Sequence, residues 1–127
     1  MIRHRFKKEE RLTHKKTFDI LFVKGRSLVV PPLKLIWLTT EAKLPFPAQT
    51  GISVPKRSFP RAVDRNTLKR RIRESYRKNK HLLYEILKKK NLTIALMILY
   101  TARKESPYVE IEKKMIVSLQ KLIGHIE

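Results

Sequence analysis

The sequence predicts an α/β (α+β) two-layer sandwich, a small mixed sheet with packed helices in the order αβββαβα. Three observations predict it. The run from Arg61 to Arg77 contains no Gly or Pro and places apolar residues at helical spacing. Residues 94–100, Ile-Ala-Leu-Met-Ile-Leu-Tyr, form the longest apolar stretch, the right length for a strand buried on both faces. The chain has 127 residues and is 42% hydrophobic, enough for one domain around one core.

Residues 1–11 are basic and nearly devoid of apolar side chains, which predicts a flexible arm on a single domain spanning residues 1–127. A first helix is expected from about Thr13 to Lys24, stopped by Gly25 at the C′ position. Phe18, Leu21 and Phe22 stand at i, i+3 and i+4, with Leu12 placed as a hydrophobic staple. Spacing alone reads the two phenylalanines as core.

Residues 27–40 read as two strands, or one strand broken at Pro31-Pro32. In the second piece Leu33, Leu35 and Trp37 point one way and Lys34, Ile36 and Leu38 the other. Trp37 is either core or a stacking platform. Glu41 to Gln49 carries Pro45 and Pro47 and reads as a loop. Thr50 to Lys56 alternates Ile52 and Val54, predicting a third strand that ends near Pro55 and delivers Lys56 and Arg57 to a turn.

The basic helix follows, with Asp64 or Asn66 as its N-cap. At about 100° per residue, Leu68, Ile72, Ser75 and Asn79 share one side, with Tyr76 at its border. Asn66, Lys69, Arg70, Arg73 and Arg77 cluster on the adjoining arc. Only Asp64 and Glu74 dilute the positive charge. Like charges at i,i+4, such as Arg65, Lys69, Arg73 and Arg77, cost a few tenths of a kcal/mol per pair, roughly. A helix that bears this repulsion is expected to meet an external polyanion rather than present a merely solvated face. Leu82 to Leu87 either continues the helix or starts another. Asn91 to Tyr100 reads as the doubly buried strand. Ser106 is expected to cap a last helix with Pro107 at N1. That helix runs to about Ile123, with Met115, Ile116, Leu119, Leu122 and Ile123 on one face.

The formal charge of +19 points to nucleic acid first and anionic membrane second. No apolar run approaches the roughly 20 residues that span a bilayer. The charged N-terminus lacks the apolar region of a signal peptide, and there is no cysteine, so a cytoplasmic protein is expected. Metal-dependent hydrolysis by protein groups needs clustered carboxylates. The two aspartates, Asp19 and Asp64, lie apart, the nine glutamates are scattered, and His4, His14, His81 and His125 are isolated. No phosphate-binding glycine motif is present. The expectation is therefore no catalytic residue and no metal ligand on this chain.

Val54-Pro-Lys-Arg57 followed by Ala62-Val-Asp-Arg-Asn-Thr-Leu-Lys-Arg-Arg-Ile-Arg-Glu-Ser-Tyr-Arg77 resembles the signature of the bacterial ribonuclease P protein component. The family pattern is roughly S-K-K, a short turn, A-V-x-R-N-R, then K-R-x-x-R-E-x-x-R. Arg65, Asn66, Lys69, Arg70, Arg73, Glu74 and Arg77 match in spacing, as do Arg11-Leu12, Phe18, Phe22 and Gly25 upstream. The likeness covers roughly Lys8 to Ile123. Thr67 replaces the second arginine of R-N-R, so that contact is lost or moved to Arg71. The turn lacks its usual glycine and has Ser58-Phe59-Pro60, and Pro55 stands where serine is common.

The resemblance implies a left-handed βαβ crossover around the basic helix, against a general right-handed preference of about 98%. It implies a subunit that joins a catalytic RNA and assists removal of the 5′ leader from precursor tRNA, with Mg2+ held mainly by the RNA. No membrane and no further protein partner are called for. Arg65, Asn66, Lys69, Arg70, Arg73 and Arg77 are then expected to bind the catalytic RNA. Phe18, Phe22, Trp37, Lys56 and Arg57 are expected to bind the single-stranded leader, since aromatic faces stack on any base. A basic ribosomal-type RNA-binding protein or RNA chaperone, with no part in cleavage, is the alternative. A zipper-type DNA-binding helix would need heptads, and Leu82 to Leu87 supply little more than one.

Overall fold

The structure, a computed structural model, describes residues 20–21, 23–40 and 46–127. The predicted arm at 1–11, the start of the first helix, Leu12, Phe18, Phe22 and most of the 41–49 loop lie outside the described residues. Residues 20, 21, 23 and 24 are helical, and the helix ends before Gly25 as expected.

Two prolines split the first apolar region into a hairpin. Strand β1 (Arg26–Val30) pairs antiparallel with β2 (Leu33–Thr40) across the cis Pro31-Pro32 turn. Proline lacks an N–H, so neither residue can extend the ladder. Strand β3 (Ala48–Ser53) begins and ends earlier than the sequence predicts. Pro55 disfavours continuation, and Val54 leaves the ladder while staying buried. Strand β4 (Thr93–Tyr100) lies between β2, antiparallel, and β3, parallel, giving the order β1-β2-β4-β3. Its central place explains its apolar run: Ile94, Leu96 and Ile98 face one side, Ala95 and Met97 the other, and all are buried.

The parallel pair needs a crossover, which helices α1 (Ala62–Asn79) and α2 (His81–Lys89) provide. The Leu82–Leu87 piece is thus a separate helix. It ends in a Schellman motif: Asn91 takes φ 53°, Leu92 N donates to Leu87 O at 2.9 Å, and Asn91 N to Lys88 O at 3.1 Å. Helix α3 (Tyr108–Ile126) closes the chain against α1 and the β1–β2 hairpin.

The main core lies between these helices and the sheet. Leu33, Leu35 and Trp37 of β2 meet Leu68, Ile72 and Tyr76 of α1, Leu83 and Leu87 of α2, and Ile111, Met115, Leu119 and Leu122 of α3. The predicted α1 stripe is therefore the buried one, and Thr50 Oγ1 donates to Tyr76 Oη at 2.8 Å inside it. A smaller cluster on the opposite face joins Leu21 to Ile36, Ala95 and Met97. The first helix thus ends on the other side of the sheet.

Both predicted caps are displaced. Helix α1 starts at Ala62 with Arg61 at the cap, and Asp64 sits in the first turn, 3.4 Å from Arg61 Nε. A carboxylate there still complements the helix dipole. Helix α3 is capped by Pro107 rather than Ser106. The Ser106 hydroxyl is engaged with Tyr100 Oη at 2.9 Å. No helix among the described residues is long and apolar enough to cross a membrane.

Candidate nucleic-acid interface

Burying Leu68, Ile72, Ser75 and Tyr76 turns the opposite side of α1 outward. Asn66, Arg70 and Arg73 are exposed there and Lys69 is half-buried. Among the described residues the side chains of these four make no hydrogen bond or ion pair. They are spaced at one and two helical turns, so they form one cationic face with an amide at its N-terminal end.

The other predicted members of the face are engaged. Arg65 Nη1 donates to Phe59 O and Pro60 O, both at 2.8 Å, and so holds the turn before α1. Arg77 donates to Glu74 at 2.6 Å and 3.1 Å. That bond holds the Glu74 carboxyl below its ordinary pKa and raises that of Arg77. Beside this pair, Tyr108 Oη donates to Glu112 Oε2 at 3.0 Å. Burial, with that bond second, pushes the Tyr108 hydroxyl up to about 12.

The second surface is a cleft of about 800 Å³ between the end of the first helix and the open face of the sheet. Leu21, Gly25, Ile36 and Leu99 form its apolar part, and Lys34, Arg57 and Arg103 supply cations. Ser27, Ser53, Ser58 and Thr101 add hydroxyls. Gly25 permits the close approach at its mouth. A Cβ there would overlap Leu21 O and stand 2.7 Å from Ile36 Cγ2. Its φ is not positive, so the predicted left-handed C′ role is replaced by this steric one.

Of the predicted leader residues, Arg57 lines the cleft, and Lys56 is exposed next to it. Trp37 does not reach it. Strand alternation puts Trp37 on the helix face, 3% exposed, with the His125 ring 5.4 Å away and the Arg26 guanidinium 5.5 Å from its own ring centroid. It packs in the helix-side core and lines a smaller pocket beside Arg26 and His125 instead. Phe18 and Phe22 lie outside the described residues. Lys34 and Arg103 were missed. Lys34 was legible, since it shares a face with Ile36; Arg103 lies in a loop after β4 and carries no periodic signal.

A model of the family described as Ribonuclease P matches residues 6–123 of the chain. The chain belongs to the ribonuclease P protein family. The ribonuclease P protein component of Porphyromonas gingivalis is 32% identical over 120 residues, covering 94% of this chain and 87% of that one. That of Chlorobium phaeobacteroides is 33% identical over 122 residues, covering 89% and 84%. Solved structures share the fold, among them the following two. The Staphylococcus aureus RNase P protein superposes with a TM-score of 0.68 at 21% identity, covering 89% of this chain and 94% of that one. The Thermotoga maritima protein gives 0.70 at 20% identity, covering 87% and 96%.

The departures from the ribonuclease P signature have local explanations. Thr67 Oγ1 donates back to Val63 O at 2.9 Å, so this side chain lies along its own helix. Arg71, the possible substitute for the missing arginine, points instead to the loop before α3, with Nη1 2.9 Å from Ser106 O and 3.5 Å from Glu105 Oε1. In the turn without glycine, Phe59 N donates to Pro55 O at 3.1 Å and the Phe59 ring is buried.

Proposed function

We propose that this chain is the protein subunit of ribonuclease P. In this reading it docks the catalytic RNA on α1 and holds the 5′ leader of precursor tRNA in the cleft. The single observation that carries it is a pair of cationic surfaces on opposite sides of one sheet. One is the outward arc of Asn66, Lys69, Arg70 and Arg73; the other is the cleft bearing Lys34, Arg57 and Arg103. The first suits structured RNA, which is recognised by shape and phosphate contacts. The second suits a single strand: cations along the backbone and apolar surface for bases.

The catalytic groups and the Mg2+ belong, in this reading, to the RNA. Among the described residues no group of three His, Cys, Asp or Glu side chains could hold a metal ion. In this reading no chemical step is assigned to the chain. Its part is to bring two polyanions together by screening their phosphates, which lowers the Mg2+ they need. Reconstitution tests this. Catalytic RNA and precursor tRNA at low Mg2+ should give markedly faster leader removal with the chain than without it. The chain alone should give none. Equal rates with and without the chain, or cleavage by RNA-free protein, would overturn the reading.

A further inference from the structure

The cleft cations Arg57 and Arg103 sit on loops, not on regular elements. Arg57 belongs to the 55–60 turn and Arg103 to the 101–107 segment that leads into α3. A loop cation is useful to a ligand only if the loop is held. Both loops are held from the same helix. Arg65 Nη1 donates to two carbonyls of the first, Phe59 O and Pro60 O. Arg71 Nη1 donates to Ser106 O in the second and lies 3.5 Å from Glu105.

The loops are also joined to each other. The Phe59 ring meets the Tyr100 ring edge-on, centroids 5.7 Å apart at 63°. Tyr100 Oη then donates to Lys104 O at 2.5 Å and lies 2.9 Å from Ser106 Oγ. The path closes: α1, the 55–60 turn, the end of β4, the 101–107 loop, and α1 again. The same helix presents Asn66, Arg70 and Arg73 outward.

We propose that Arg65 and Arg71 are positioning residues that fix the two cation-bearing lips of the cleft, linking them rigidly to the docking helix. Each holds its loop through one guanidinium nitrogen, Nη1 of Arg65 on Phe59 O and Pro60 O and Nη1 of Arg71 on Ser106 O. The proposal rests on the reading of the cleft as the leader site. A helix that docks on the catalytic RNA then also sets the width of the cleft that takes the substrate strand.

A double-mutant cycle in the reconstituted holoenzyme tests it, reading the ratio of precursor to mature tRNA affinity beside affinity for the catalytic RNA. Arg71→Ala is expected to lower the ratio about five-fold, the size of a lost charge contact, with RNA affinity changed less than about two-fold. In an Arg103→Ala background, Arg71→Ala should lower the ratio no further. Arg71→Lys should restore part of it, since an ammonium can still reach a carbonyl. A purely structural loss would be additive with Arg103→Ala. Additive effects would therefore overturn the proposal, as would loss of RNA affinity as large as that of Arg70→Ala with an unchanged ratio. If Arg57→Ala and Arg103→Ala both leave the ratio intact, the cleft reading fails and the proposal fails with it. If they lower it and Arg71→Ala does not, the cleft stands and the positioning role alone is lost.

Discussion

Gly25 lies so close to Ile36 that a Cβ on it would stand 2.7 Å from Ile36 Cγ2 and overlap Leu21 O. This contact brings the end of the first helix onto the sheet and defines the mouth of the cleft. Gly25→Ala is therefore expected to destabilise the fold by about 1–3 kcal/mol, as overpacking does. Removing the side-chain half of the clash with Ile36→Ala should not rescue it, because the Leu21 carbonyl is backbone. Thermal melts of the single and double variants check this. A double variant more stable than Ile36→Ala alone would contradict the steric account.

Arg70→Ala and Arg73→Ala are expected to weaken binding to the catalytic RNA while changing folding stability by no more than about 0.5 kcal/mol. Both side chains are exposed and without partners among the described residues. Each lost phosphate contact should reduce the slope of log affinity against log salt by about 1. Leu68→Ala, on the buried side of the same helix, should instead cost about 2–5 kcal/mol of stability. Salt titrations beside melts separate the two sides of α1.

Much of this division was legible in the sequence because helical and strand periods are fixed by geometry. The 100° step placed Leu68 and Ile72 inward and Arg70 and Arg73 outward, and the two-residue step of β2 separated Trp37 from Lys34. What was not legible depends on contacts between distant segments. Ser106 has the sequence of a cap, yet its hydroxyl meets Tyr100. Arg65 and Arg71 look like members of a basic face, yet their acceptors are loop carbonyls, which no side-chain pattern marks. The strand β3 was misplaced by two residues because alternation at Ile52 and Val54 outweighed the effect of Pro55 on its neighbour.

Tyr108 gives a pH prediction. Burial first, and its bond to Glu112 second, raise its pKa from the ordinary 10.0 to about 12. The neutral form is favoured in the folded state, so this contribution is fully present below about pH 10. It is lost as pH rises from there through about 12. Stability should therefore fall more steeply over that range in the wild type than in Tyr108→Phe. The difference between their phenolate absorbance titrations should show one group ionising near pH 12. Equal alkaline slopes in the two proteins would argue against the shift. At the acidic end, the Glu74 carboxyl held low by Arg77 stabilises the fold above the usual carboxylate range and ceases to do so as pH falls through its lowered value.

Lys34 and Trp37 are three residues apart on β2 and face opposite sides of the sheet. Their variants should therefore fail in different assays. Trp37→Ala removes a buried aromatic side chain packed against His125 and Arg26, which should cost about 3–5 kcal/mol of folding stability. Where the protein is still folded, its preference for precursor over mature tRNA should be intact, because the ring does not line the cleft. Lys34→Ala removes a half-buried cation from the cleft wall and should change stability little. It should lower the precursor preference by roughly five-fold at low salt, with less effect at high salt, where phosphate attraction is screened. Lys56→Ala, exposed and outside the lining, should act more weakly than Lys34→Ala or Arg57→Ala. Melting temperature and the precursor-to-mature affinity ratio, measured on the same preparations at two salt concentrations, decide the matter. A Trp37→Ala protein that melts normally but loses the ratio would return Trp37 to the leader site and reverse the assignment of the two faces of β2.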